Sequence, residues 1–320
     1  MTETTMFELG SGVHAHSVAF DASGRLWFVG GALERTQVVG RLEPNGSVIE
    51  IPIPDSTRSY YSAAITEGAD GAMWFTDPWT SALGRVTASG EITMYKLPRG
   101  TNPLDLVSGS DGALWFTDPY KDRIGRMTTS GELAQFRLAR HSGLSDIARG
   151  PDGNVWFTLR EKSRIGRLTP TGDRKLFTLR GVEPRSIIAD QGGLWFTEGS
   201  WAAPKGKNRL GHIDTAGKVT QFRVPGKSGT REIAVGPDGR IWFTAGSAGG
   251  AIGWMWPSGE LGPRGCLDEH CWLPPSSLAV APDGVLWFGT DLATCGICGG
   301  GSAQSLGMES GWVGHLGLGA

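Results

Sequence analysis

The chain has 320 residues, 39% hydrophobic and 19% charged, and 30 basic against 32 acidic residues leave a formal net charge of -2. That near-neutral balance argues against a nucleic-acid or anionic-membrane partner, either of which would require a basic surface. The length can bury a core without disulfides or metals, and 13 Trp and 12 Phe among 50 Gly and 18 Pro point to many short strands and turns rather than disorder.

The first residues, Met1 to Thr5, lack the basic and apolar regions of a signal peptide, and no apolar run reaches the ~18 residues of a membrane span. A cytoplasmic monomer is expected. Next comes an isolated strand-like segment, Met6-Phe7-Glu8-Leu9, and then a repeat that runs to the end of the chain. Trp-Phe recurs seven times, beginning at Trp27, Trp74, Trp115, Trp156, Trp195, Trp242 and Trp287, at intervals of 39 to 47 residues. Three residues before each Trp stands a Gly, preceded in five units by Asp, as in Pro151-Asp152-Gly153. Asp-Gly between apolar runs is a tight-hairpin signal, because Gly tolerates positive φ. After each Trp-Phe another Gly opens a further strand, as in Ile165-Gly166-Arg167-Leu168.

Each unit therefore reads as four short antiparallel strands, A to D. A period of about 40–50 residues with four strands is a propeller blade signature, since a single such sheet cannot cover both its faces. The predicted fold is an all-β, seven-bladed β-propeller, a single domain over residues 1–320. The last unit stops after its C strand at Val313-Gly314-His315-Leu316, so the N-terminal strand is expected to complete it and leave no open edge.

The Asp-Gly hairpins between A and B lie on one face of such a disc. The D–A and B–C loops share the other face, which carries the long insertions and is the expected functional side. Two slots there point toward the channel mouth. The A-strand slot holds His16, Ala63, Leu104, Ser145, Arg185, Arg231 and Ser276; the B-strand slot holds Gly30, Asp77, Asp118, Leu159, Glu198, Ala245 and Thr290. His16 is a natural proton carrier, and Asp77, Asp118 and Glu198 are candidate catalytic carboxylates, ringing part of the mouth as a general base or as ligands of Mg²⁺ or another divalent cation. The alternative for these acids is loop capping through backbone N–H groups.

Arg185 and Arg231 suit a carboxylate or an enolate-like oxyanion of a substrate, or they pair with Asp105, Asp146 or Glu232. His14 stands beside His16. Trp79 and Tyr120, with Tyr60, Tyr61, Trp201 and Trp272, fall in loops on the same face and form a candidate aromatic wall. His212 and His315 occupy a C-strand position that is mostly Arg elsewhere, so both read as structural. Cys266 and Cys271 precede the last unit, and Cys295-x2-Cys298 lies in its B–C loop, so all four thiols are expected to meet on the functional side. They fit a structural Zn²⁺ site, with His270 as an alternative ligand; two disulfides or free thiols are the other readings.

The repeat Gly-Pro-Asp-Gly-x-x-Trp-Phe-Thr…Ile-Gly-Arg-Leu-Thr-Pro, clearest from Gly150 to Thr171, resembles the virginiamycin B lyase (streptogramin B lyase) family over all seven units. That resemblance implies a seven-bladed propeller that opens a cyclic depsipeptide by elimination, aided by Mg²⁺. It further implies a blade with His in the A slot, Glu in the B slot and a second His three residues on, with another His from an adjacent blade. Here blade one has His16, but Gly30 and Leu33 where Glu and the second His are expected, with Glu34 and His14 nearby; blade five has Glu198 without a His. The expected function is lyase-like proton abstraction from a small natural product, leading to elimination, cyclisation or isomerisation. The alternatives are a non-catalytic ligand- or protein-binding propeller and authentic streptogramin B lyase activity, that is, antibiotic resistance.

Overall fold

A computed structural model describes residues 4–11, 13–31, 37–56, 63–180, 183–199, 208–224, 230–245, 251–262, 265–266, 275–290 and 310–316. The chain is an all-β propeller of four-stranded antiparallel sheets. Among the described residues seven such sheets follow one another. The fourth is representative: A Leu144–Arg149, B Val155–Leu159, C Arg164–Leu168 and D Arg174–Thr178. The fifth runs through Pro184–Ala189, Gly193–Glu198, Arg209–Asp214 and Val219–Arg223. The sixth has Thr230–Val235, Ile241–Ala245 and Ala251–Met255, with a D strand of only Gly265–Cys266. In the remaining sheet Pro275–Val280, Leu286–Thr290 and Ser310–Leu316 are completed by Thr4–Ser11 from the other end of the chain, with Thr4 opposite Leu316 and Glu8 opposite Trp312. Each A strand touches the A strands of the sheets on either side, and that of Pro275–Val280 touches His14–Phe20 of the first sheet. The A strands therefore wall a central channel. No helix among the described residues is long and apolar enough to cross a membrane.

The Trp-Phe pair explains why the sheets stack. Successive side chains of a strand point to opposite faces, so each B strand sends its Trp toward the following sheet and its Phe toward the preceding one. Trp156 shares an apolar layer with Phe196, Trp115 with Phe157, Trp195 with Phe243 and Trp242 with Phe288. Trp287 lies against the layer containing Phe28, which joins the last sheet to the first. The Trp rings also stack within their sheet, Trp156 on Phe177 at 5.2 Å and Trp287 on Phe7 at 5.8 Å, so Phe7 stands where the other D strands place their aromatic residue. The C-strand glycine follows from the same packing: a Cβ on Gly166 would sit 2.1 Å from Cζ of Phe157.

The hairpin acid locks the Trp in place. Trp156 Nε1–H donates to Asp152 at 2.9 Å, and Gly153 takes a φ of 79° in the turn. Burial works to raise the Asp152 pKa, but hydrogen bonds from Trp156 and Asn154 and the charge of Arg167 outweigh it and hold the carboxyl below its ordinary value. Where His212 replaces the arginine, it stands 3.4 Å from Asp190 and tilts over Trp195, which is the structural role expected of it. The side chain of His315 lies outside the described residues.

Candidate functional site

Five A strands carry an irregularity at the same height. Register slips between Ala15 and Ser17, Leu144 and Ile147, Pro184 and Ile187, Thr230 and Ile233, and Pro275 and Ser277. A bulge leaves residues outside the ladder and re-aims their side chains, so His16, Arg185 and Arg231 all sit on bulged backbone of the channel wall. Pro184 lies opposite Glu198 as Thr230 lies opposite Ala245, which makes Arg185 and Arg231 equivalent positions, as the sequence suggested.

In sheets four to six the Thr of Trp-Phe-Thr holds the bulge. Thr197 Oγ1 accepts the N–H of Ser186 at 3.1 Å and donates to the carbonyl of Arg231, in the next sheet, at 2.9 Å. Thr158 does the same between Asp146 and the Arg185 carbonyl.

The B-slot carboxylates do not ring the channel mouth as expected. Asp77, Asp118 and Glu198 are all fully buried. The B strand lies one strand back from the channel wall, and Glu198 shares the face of its strand with Phe196, which packs toward the fourth sheet. Asp77 caps its own loop: Oδ1 accepts the N–H groups of Trp79 and Thr80 at 3.1 Å each, and Oδ2 accepts the Thr80 hydroxyl at 2.6 Å. Asp118 accepts Asn102 N–H at 3.3 Å, with Arg123 Nε at 3.8 Å from its other oxygen. Glu198 accepts Gln221 Nε2–H at 2.7 Å. In both sheets an arginine donates to that same glutamine, Arg123 to Gln135 and Arg209 to Gln221. Burial pushes the pKa of both Asp118 and Glu198 upward against these favourable contacts.

The acids that do line the channel are the ones treated above only as partners for the arginines. Asp105 Oδ2 accepts the N–H of Ile147 at 2.8 Å, and Asp146 Oδ2 accepts the N–H of Ile187 at 2.7 Å, so each ties the next sheet's bulge to its own sheet. Burial, and then the charge of Asp146, push the Asp105 pKa far up. Burial and Asp146 likewise raise Glu232 to about 7, with Arg231 working the other way. A carboxyl titrating near neutrality is suited to proton transfer. The signal for Glu232 was its position, one residue after the A slot, the place Asp105 and Asp146 hold in their units. Asp105 also stands at the inner end of a cavity of about 800 Å³. That cavity extends past Ile65, Leu106 and Ile147 to the hairpin turns at Gly68 and Gly109, on the far face of the disc.

At the loop-side end, His14 is buried and His16 half-buried. A Cβ on Gly30 would lie 1.9 Å from the His14 carbonyl oxygen, so this backbone admits no glutamate at the position where the resemblance expects one. Arg185 Nε–H donates to the Gly199 carbonyl at 2.7 Å, and Arg231 is exposed. Trp79 and Tyr120 follow Pro78 and Pro119 in neighbouring sheets and are 51% and 67% exposed. Tyr60, Tyr61, Glu34, Trp201, His270, Cys271, Trp272, Cys295 and Cys298 lie outside the described residues. Cys266 is described in its backbone alone, opposite Ala251 where the C strand begins, on the loop side of the disc.

Among the described residues no three His, Cys, Asp or Glu side chains stand together as a metal-ion site. The oxygens of Asp77 are taken by its own loop, whereas Asp118 and Glu198, in separate sheets, each keep one buried carboxylate oxygen without a hydrogen-bond partner.

The model of the virginiamycin B lyase family matches residues 2–145 and 139–297. No curated protein matches the chain in sequence. Among solved structures, a streptogramin B lyase superposes with a TM-score of 0.80 at 24% identity, covering 99% of this chain and 98% of its own. A catalytically inactive virginiamycin B lyase from Staphylococcus aureus, solved with quinupristin, gives 0.81 at 24% identity, covering 99% and 100%. The WD40 propeller domain of Doa1 gives 0.68 at 13% identity, covering 99% and 97%.

Proposed function

The chain belongs to the virginiamycin B lyase family, and from that premise we propose that it is a lyase-like enzyme acting on a small natural product at the loop-side end of a closed, seven-bladed channel. The observation that carries this reading is the adjacency in sequence of Glu232, titrating at about 7, and the exposed Arg231 on one channel-wall bulge. A base of that strength takes an acidic C–H proton α to a carbonyl. The electron pair moves into an enolate whose oxygen Arg231 and Arg185 face as donors, and it returns to expel a β-oxygen leaving group, so the C–O bond breaks and a C=C bond forms. His16, on the equivalent bulge of the first sheet, is the group to return a proton to that oxygen. Trp79 and Tyr120 give the substrate an apolar face to lie against. No step here runs through a divalent cation. We further assign the four cysteines to a structural zinc site stapling the two long loops, with no part in the chemistry.

A streptogramin B is the first substrate to test, because a family relative is known with quinupristin bound. Incubation followed by mass spectrometry separates the outcomes: elimination opens the ring at unchanged mass, whereas hydrolysis adds one water. Turnover by the native chain and its loss in Glu232→Gln and His16→Ala support the reading. Turnover that survives both substitutions removes these residues from the mechanism. Binding without turnover of any substrate returns the protein to a non-catalytic binding propeller.

A further inference from the structure

Three arginines stand at the loop-side end of sheets four to six, one in each of three successive sheets. Arg160 opens the B–C turn of the fourth sheet and is anchored by its N–H to the Gly143 carbonyl at 2.9 Å. Arg185 and Arg231 occupy the equivalent bulges of the fifth and sixth, each with its carbonyl held by the threonine of the preceding sheet. The backbone that presents all three is therefore fixed. Arg185 stands in the middle. After burial, the charges of Arg160 and Arg231 are among the influences that lower its pKa, so it feels a cation on either side. Among the described residues Glu183, at 4.0 Å and half exposed, is the one carboxylate within ion-pair range of Arg185, while Glu232 feels the charge of Arg231. Like charges brought together this way cost free energy in the empty protein, and an oxyanion recovers it by accepting forked N–H donors from more than one guanidinium.

We infer that Arg160, Arg185 and Arg231 form an anion-binding subsite, and that the small molecule this protein acts on carries a carboxylate or phosphate group that docks there. The inference rests on reading the loop-side end of the channel as the binding site, but not on catalysis at that site. It places the anionic group next to Glu232, the group assigned above to proton abstraction.

The test is calorimetric titration of the full chain with malonate and, separately, with inorganic phosphate at low ionic strength, where screening is weak. The expected result is saturable binding of at least one of the two, weakened about tenfold or more in Arg231→Ala and in Arg185→Gln. Arg149→Ala, at the hairpin end of its strand, should leave binding unchanged, and Glu183→Gln should tighten it by removing the competing carboxylate. Whichever of malonate and phosphate binds more tightly identifies the group. Absence of binding by both, equal loss in Arg149→Ala, or undiminished binding in Arg231→Ala and Arg185→Gln, each shown to be folded by circular dichroism, overturns the inference, as does indifference to Glu183→Gln. Turnover of a neutral streptogramin together with no anion binding would defeat this inference and leave the lyase reading standing. Anion binding with no turnover would do the reverse.

Discussion

Thr197 gives its hydroxyl hydrogen to the main-chain carbonyl of Arg231 at 2.9 Å while accepting the N–H of Ser186 at 3.1 Å, and so joins the fifth sheet's bulge to the sixth's. The side chain is fully buried, so neither backbone group has water to turn to if the hydroxyl is removed. Thr197→Val, nearly the same shape, should lower stability by about 1–3 kcal/mol, read as a shift of the denaturant midpoint. Thr197→Ser should keep most of it. A midpoint unmoved in Thr197→Val would mean that the bulge holds itself.

Glu232 sets a pH dependence whose direction is fixed by its raised value. The unfolded chain releases the proton near 4.5 and the folded one near 7, so the folded state binds more protons between those limits and stability falls as pH rises through them. At ~1.4 kcal/mol per unit the difference approaches about 3 kcal/mol at its upper limit. Glu232→Gln should therefore be more stable than the native chain at pH 8 and indistinguishable from it below pH ~4.5. Thermal unfolding at both pH values checks this. A variant less stable than the native chain at pH 8 would show that the ionised form is the one the fold favours.

The cysteines are tested by metal content and thiol count together. If they form the proposed zinc site, protein purified under reducing conditions should carry about one zinc per chain, with thiols that react slowly until a chelator is added. Cys295→Ser should lose the metal. Metal-free protein with four freely reactive thiols, or with none, excludes the site.

The propeller was legible because its signals repeat at fixed spacing: a Trp for the following sheet, a Phe for the preceding one, a Gly in the turn and another beneath the Phe ring. The A-strand positions of His16 and Arg231 could be counted back eleven residues from the Trp, whereas Arg185 falls one residue off that count because the turn before Trp195 is shorter. The B-slot acids were misplaced because counting gives the height of a side chain along the blade but not its depth from the axis. Asp77 could also be read as a cap, and its bonds to Trp79 and Thr80 are of that kind. Glu232 was hidden for a different reason. Its raised pKa comes from burial and from Asp146, a residue two sheets away in the chain, and no local pattern carries that neighbour.

The pairing of Thr4–Ser11 with Ser310–Leu316 bears on how the molecule comes into being. Every other sheet can form from one stretch of about 40 consecutive residues, so its loops close early and cheaply. The sheet that borrows its outer strand from the beginning of the chain must wait for nearly the entire polypeptide. It is also the slowest contact to find, because loop closure over such a separation precedes any reward. A nascent chain is thus an open crescent with an unpaired strand edge until its last strand arrives. Mutations at Phe7, which stacks on Trp287, should accordingly slow the final folding phase more than they disturb the blades already assembled.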